Sequence, residues 1–189
     1  GVMMLAQTQH EIRGYERTAH ANALQGVLTE FISPQKVKKL CPIINIDGPR
    51  YPVLGALWQP RGGTARHDAV AWGYARACSE MGMDILQQCE VTGVNTVNGK
   101  AIGVETTKGP ITCDKIGMVV AGHSGVLADM AGFRLPIESV ALQALVSEPI
   151  KPCMDVVVMA NTVHGYMSQS DKGEMVIGGG ADGYNNYSQ

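Results

Sequence analysis

Apolar residues recur along this chain in two rhythms, and the changes of rhythm mark its elements. Val2-Met3-Met4-Leu5-Ala6 is an unbroken apolar run of strand length. From His10 to Leu24, Ile12, Tyr15, Ala19 and Ala23 fall three and four apart, which predicts a surface helix with His10 and His20 solvated. Ser33-Pro34 reads as an N-cap followed by the first helical position, opening a short helix that ends before Pro42. Turns and a short strand follow over Ile43 to Pro60. Asp68 reads as the N-cap of a helix through Ala77, with Arg66 and His67 in the loop before it. A strand is expected over Asp84 to Gln88. A meander comes next: Glu90 to Val97, the turn Asn98-Gly99, Ala101 to Thr106, the turn Lys108-Gly109, and Ile111 to Asp114. Met118 to Ala121 has the composition of a buried strand, and Gly122-His123-Ser124-Gly125 turns it into a short helix over Val126 to Ala131. Further on, His164, Tyr166 and Ser168 alternate with Val163, Gly165 and Met167, a strand with one polar and one apolar face.

A strand-helix-strand unit whose return to a parallel sheet passes through a small antiparallel meander makes this an α/β chain. It opens on Gly1 and runs directly into an apolar strand, and it stops at Gln189 in a polar, Asn- and Tyr-rich stretch. We expect it to be a piece of something longer. With 45% hydrophobic and 17% charged residues, the 189-residue chain is too apolar for intrinsic disorder. Its net charge of -2 offers no footprint for nucleic acid. Runs such as Val156 to Ala160 fall far short of the ~20 apolar residues of a spanning helix, so no membrane segment is expected. The five cysteines, Cys41, Cys78, Cys89, Cys113 and Cys153, show neither C-x-x-C pairing nor metal-ligand spacing. No metal site and no disulfide is expected, and scattered thiols suit the cytoplasm.

The stretches Val91-Thr92-Gly93-Val94, Gly99, Gly103-Val104-Glu105-Thr106, Gly109-Pro110-Ile111 and Val119-Val120-Ala121-Gly122 resemble the second half of the FAD domain in the D-amino-acid oxidase family. Longer strings narrow the resemblance to the beta subunits of heterotetrameric sarcosine oxidases. These are Gly62 to Gly73, Met130 to Pro136, Leu142 to Glu148 and Ser168 to Glu174. The resemblance implies a glutathione-reductase-like FAD-binding domain with its meander, plus part of a mixed-sheet substrate domain. Residues 1–60 would belong to the substrate or cap region, 61–135 to the second half of the FAD-binding domain, and 136–189 to substrate-domain strands. The activity implied is oxidation of the N-methyl group of sarcosine to give glycine. Electrons would pass from FAD to a covalent FMN and then to dioxygen, in a complex with alpha, gamma and delta subunits. That family's amino-terminal strand with its G-x-G-x-x-G turn, and the carboxyl-terminal strand over the flavin ring, are not among these residues.

The same resemblance assigns roles. His67 matches the histidine that carries FMN, and a helix N-terminus both favours a neutral imidazole and offers N–H groups to a phosphate. Arg66 would face the FMN phosphate or ring. Val91 matches the strand residue whose backbone meets the adenine, and Ala121 and Gly122 match the turn where FAD approaches the main chain. His164 would be a second FMN contact and Tyr166 a catalytic-pocket residue. Each has a bland counterpart: a capping or solvated side chain for His67 and Arg66, a core or turn position for Val91, Ala121 and Gly122, and a solvent-facing strand for His164 and Tyr166. Two rival functions stand beside the main one, a related enzyme acting on dimethylglycine and a non-catalytic module that only contacts other subunits.

Overall fold

The computed structural model describes residues 1–181, so the polar stretch 182–189 lies outside the described residues. In chain order the elements are β1 (Val2–Ala6), α1 (Gln9–Leu24), β2 (Glu30–Ile32), α2 (Pro34–Leu40), β3 (Gly55–Gln59), α3 (His67–Glu80), β4 (Val91–Val97), β5 (Lys100–Thr106), β6 (Ile111–Thr112), α4 (Ser124–Met130), β7 (Leu142–Pro149), β8 (Val157–Ala160), β9 (Gly165–Gln169) and β10 (Glu174–Ala181). They fall into two compact units, Gly1–Ala65 with Leu142–Ala181, and Arg66–Ala141.

The first unit is built on a seven-stranded mixed sheet in the order β2-β3-β1-β8-β9-β10-β7. β1 pairs parallel with β8, setting Met4 opposite Met159, and antiparallel with β3, setting Met3 opposite Trp58. The unbroken apolar run of β1 follows from its place between two strands with both faces covered. Met3 and Leu5 join Val37 and Cys41 of the α2 region, with Ala56 and Trp58, in one core cluster. Ala6 joins Tyr15 and Ala19 of α1 and Leu57 of β3 in the other. Alternation along β1 and β3 thus sends successive side chains to opposite layers. Met3 and Val37 are fully buried, and truncating Met3 to alanine would cost about 2–5 kcal/mol. α1 opens with a capping box, in which the Thr8 side chain accepts from the Glu11 amide while the Glu11 carboxylate accepts from the Thr8 amide. α2 opens as its sequence predicts, with Ser33 at the N-cap and Pro34 at the first helical position.

The second unit holds α3, the meander β4-β5-β6 and α4, which follows a single 3₁₀ turn over Ala121–His123. Asn98 and Gly99, both with positive φ, make the β4-β5 turn. Two expected strands are corrected here. Asp84 to Gln88 forms bends and irregular chain, and Met118 to Ala121 has no ladder partner among the described residues. An apolar run becomes a strand only where neighbours take up its backbone hydrogen bonds. Val119 is accordingly 94% exposed. α3 also differs from expectation: it begins at His67, because the Val70 amide donates to the Arg66 carbonyl at 3.0 Å. Arg66 therefore holds the N-cap position, His67 is helical rather than in a loop, and Asp68 lies within the first turn.

Candidate functional site

The candidate residues fall in both units, and each group has its own geometry. At the start of α3 the side chains of Arg66, His67 and Asp68 are exposed. Arg66 Nη2 lies 3.6 Å from Asp68 Oδ2, a solvated ion pair of small net worth. The hydrogen bond from the Ala69 amide, with help from the charges of Arg66 and His67, holds the Asp68 carboxyl below its ordinary value. An anion therefore already occupies one of the donors of this helix end. A phosphate arriving there would compete with Asp68, so fewer N–H groups are open than the sequence suggests. An exposed imidazole beside a guanidinium retains the chemistry to hold a flavin ring.

Within the same unit, Val91 opens β4 and is half-buried. Among the described residues β4 is an edge strand paired with β5 alone, which leaves the backbone groups on its other side unused by the sheet. α4 packs against β4. The turn that opens α4 is tightly fixed: Ser124 Oγ donates to the Ala121 carbonyl at 2.7 Å, and Ser139 Oγ to the Gly122 carbonyl at 2.6 Å. Ala121 has a φ of 46°, a left-handed conformation that a side chain rarely adopts and that structures store at functional turns. Ala121 and Gly122 carry one methyl group between them. An edge strand with spare backbone groups and a turn nearly bare of side chains together fit a dinucleotide that approaches main chain.

In the first unit, β9 lies between β8 and β10, with Tyr166 opposite Met159 and Gly178. Tyr166 is 39% exposed. A Cβ at Gly178 would coincide with the end of its ring, so this glycine is what admits the ring. His164 precedes the strand in a turn with φ 46°. Ser168 is buried, while Met167 packs against the core. The expected polar face of His164, Tyr166 and Ser168 is thereby corrected: the strand begins at Gly165, His164 belongs to the turn, and Ser168 is buried.

Sequence reasoning missed a carboxylate close to this turn. Glu11 Oε2 accepts from the Gln7 amide at 2.8 Å and the Thr8 amide at 3.0 Å, and Glu11 Oε1 accepts from Thr162 Oγ1 at 2.9 Å. The string Thr8-x-x-Glu11 is a capping-box signature and could have flagged Glu11. Nothing local could have pointed to Thr162, 151 residues away. The five cysteines are free thiols, and no group of three His, Cys, Asp or Glu among the described residues could hold a metal. No helix among those residues is long and apolar enough to cross a membrane.

Known proteins share the sequence and fold of this chain. The sarcosine oxidase subunit beta of Rhodobacter capsulatus is 73% identical over the whole chain, which covers 46% of that subunit. The same subunit of an Arthrobacter species is 53% identical over the whole chain, covering 47% of its length. The chain thus spans about half the length of the curated relatives it matches. Among solved structures, L-proline dehydrogenase of P. horikoshii superposes with a TM-score of 0.85 at 26% identity, covering the whole chain and 50% of that protein. The model of the family described as FAD dependent oxidoreductase matches residues 1–189, and this chain belongs to that family.

Proposed function

We propose that this chain forms part of a cytoplasmic, multi-subunit oxidase that oxidises the N-methyl group of sarcosine, with FAD held by the second unit and FMN carried on His67. The observation that carries the reading is 73% identity, over every residue of the chain, to a protein named sarcosine oxidase subunit beta. The alpha, gamma and delta subunits are the partners this implies. Sarcosine and proline, the substrates in the names of these relatives, are both secondary amines. That favours a secondary amine over the tertiary amine dimethylglycine.

When bound, FAD and FMN supply the two-electron chemistry and the reaction with dioxygen. The chain's own residues hold and orient these groups. The backbone of Val91 on the open edge of β4 suits an adenine, and the Ala121-Gly122 turn lets a pyrophosphate-linked group approach main chain. His67 would hold FMN through a neutral ring nitrogen, which keeps a lone pair available for the bond. Arg66 would leave its weak pairing with Asp68 to balance negative charge on the ring or phosphate. His164 and Tyr166 would face the flavin and the amine, Tyr166 offering its hydroxyl from a half-exposed ring. Rapid-reaction kinetics on the full-length subunit in its complex tests this division of labour. His67→Ala should leave the reduction of FAD by sarcosine intact and slow its reoxidation by dioxygen. If reoxidation keeps its normal rate, His67 has no part in electron transfer.

A further inference from the structure

Among the described residues outside glycine, a φ near 46° occurs at Ala121 and at His164, and His164 is held in that conformation from several sides. Its amide donates to the Asn161 carbonyl at 3.1 Å, closing the β8-β9 turn. Its carbonyl accepts from the Gly180 amide at 3.0 Å. A Cβ at Gly179 would meet that carbonyl oxygen at 2.8 Å, so β10 comes close beneath the turn only because glycine stands there. Two side chains earlier in the turn, those of Asn161 and Thr162, are tied to α1. Asn161 Nδ2 donates to the Tyr15 hydroxyl at 3.2 Å, and Thr162 Oγ1 donates to Glu11 Oε1 at 2.9 Å.

Glu11 is anchored in turn. Its other oxygen takes the Gln7 and Thr8 amides and the Thr8 hydroxyl. Burial pushes its carboxyl up, but the hydrogen bonds from Gln7, Thr162 and Thr8 outweigh that and hold it below the ordinary glutamate value. An ionised carboxylate accepts only, so the Thr162 hydroxyl is obliged to donate. A left-handed histidine is strained and persists only where its surroundings over-determine it. The helix cap supplies that constraint across 151 residues of sequence.

We propose that Glu11, acting through Thr162, is a positioning residue that fixes the β8-β9 turn and so sets the ring of His164 for its flavin. The inference rests on the reading of His164 as a flavin contact, and it adds that the N-terminus of α1 sets the geometry of that contact. Thr162→Val removes the donor with little change in volume, and Thr162→Ser restores it. Both are made in the full-length subunit within its complex, beside His164→Ala. Hydrogen exchange followed by mass spectrometry should show the His164 and Gly180 amides exchanging about fivefold faster in Thr162→Val, the factor expected for one ordinary hydrogen bond. Thr162→Ser should match the parent.

The visible flavin bands should shift in Thr162→Val in the same direction as in His164→Ala, at an unchanged melting temperature, and return in Thr162→Ser. If His164→Ala leaves the bands unmoved, the flavin reading of His164 fails and takes the inference with it. If His164→Ala moves them and Thr162→Val moves neither the bands nor the exchange, the reading stands and the positioning role is wrong. Should Thr162→Val fail to assemble, Thr162→Ala removes the same donor without a branched side chain and carries the same two outcomes.

Discussion

Replacing Gly178 by alanine would place a methyl group where the end of the Tyr166 ring now lies. Gly178 has no positive φ, so the backbone accepts alanine without strain. Loss of unfolded-chain freedom alone would stabilise the variant by about 0.4–1 kcal/mol. Overpacking usually costs about 1–3 kcal/mol. Here the displaced atoms are the far end of a ring that is 39% exposed, which can swing away, so the cost falls at the low end of that range. The two effects nearly cancel, and the melting temperature should move by no more than a few degrees. The position of Tyr166 changes regardless. If its hydroxyl meets the amine, steady-state kinetics of the full-length oxidase should show kcat/KM for sarcosine falling about tenfold, equivalent to ~1.4 kcal/mol of lost transition-state contact. Tyr166→Ala should give a similar loss, and the double variant little more, since both remove one interaction. An unchanged kcat/KM in Gly178→Ala would remove Tyr166 from the pocket.

Further outcomes follow from the charge and thiol environments. Arg66→Ala should slow covalent flavin attachment, followed by flavin fluorescence of the denatured subunit, while the melting temperature stays put, because its side chain and its ion pair with Asp68 are exposed. Maleimide labelling under native conditions should reach exposed Cys153 first and Cys41 last, since burial both covers the Cys41 thiol and pushes its pKa up. Glu11 titrates below its ordinary value of 4.5 when folded, so its stabilising contribution is present above that value and lost as the pH falls through the lower, folded one. Acid unfolding should therefore be less steep below pH 4.5 in Glu11→Gln. The isolated 189-residue chain should fold yet stay nearly colourless after purification, and a stoichiometric flavin absorbance would refute this.

What was legible in the sequence was whatever is determined locally or by two-sided burial. The run Val2 to Ala6, the helical spacing from Ile12 to Ala23, the Ser33-Pro34 start and the Asn98-Gly99 turn each encode an element within a few residues, and each is found. Strands that depend on a distant partner were not legible. Met118 to Ala121 has strand composition, yet no described neighbour completes a ladder with it. The start of α3 was displaced by two residues because Asp68 looks like a cap, whereas its carboxylate instead takes the Ala69 amide from inside the helix. Arg66, His67, Val91, Ala121 and Gly122 lie in literal strings and His164 and Tyr166 in an alternating polar pattern, but the constraints on them are not local. Glu11 with Thr162, and Gly178 with Tyr166, are pairings that only the folded chain brings together.

The most direct test of the proposed role is peptide mapping by mass spectrometry of the full-length subunit purified from cells that make the entire complex. The peptide spanning Arg66, His67 and Asp68 should carry one FMN-sized mass increment, its fragment ions should assign that increment to His67, and the increment should vanish in His67→Ala. A covalent flavin mapped to His164 or to any other residue, or a subunit of unmodified mass in a complex that oxidises sarcosine, would contradict it.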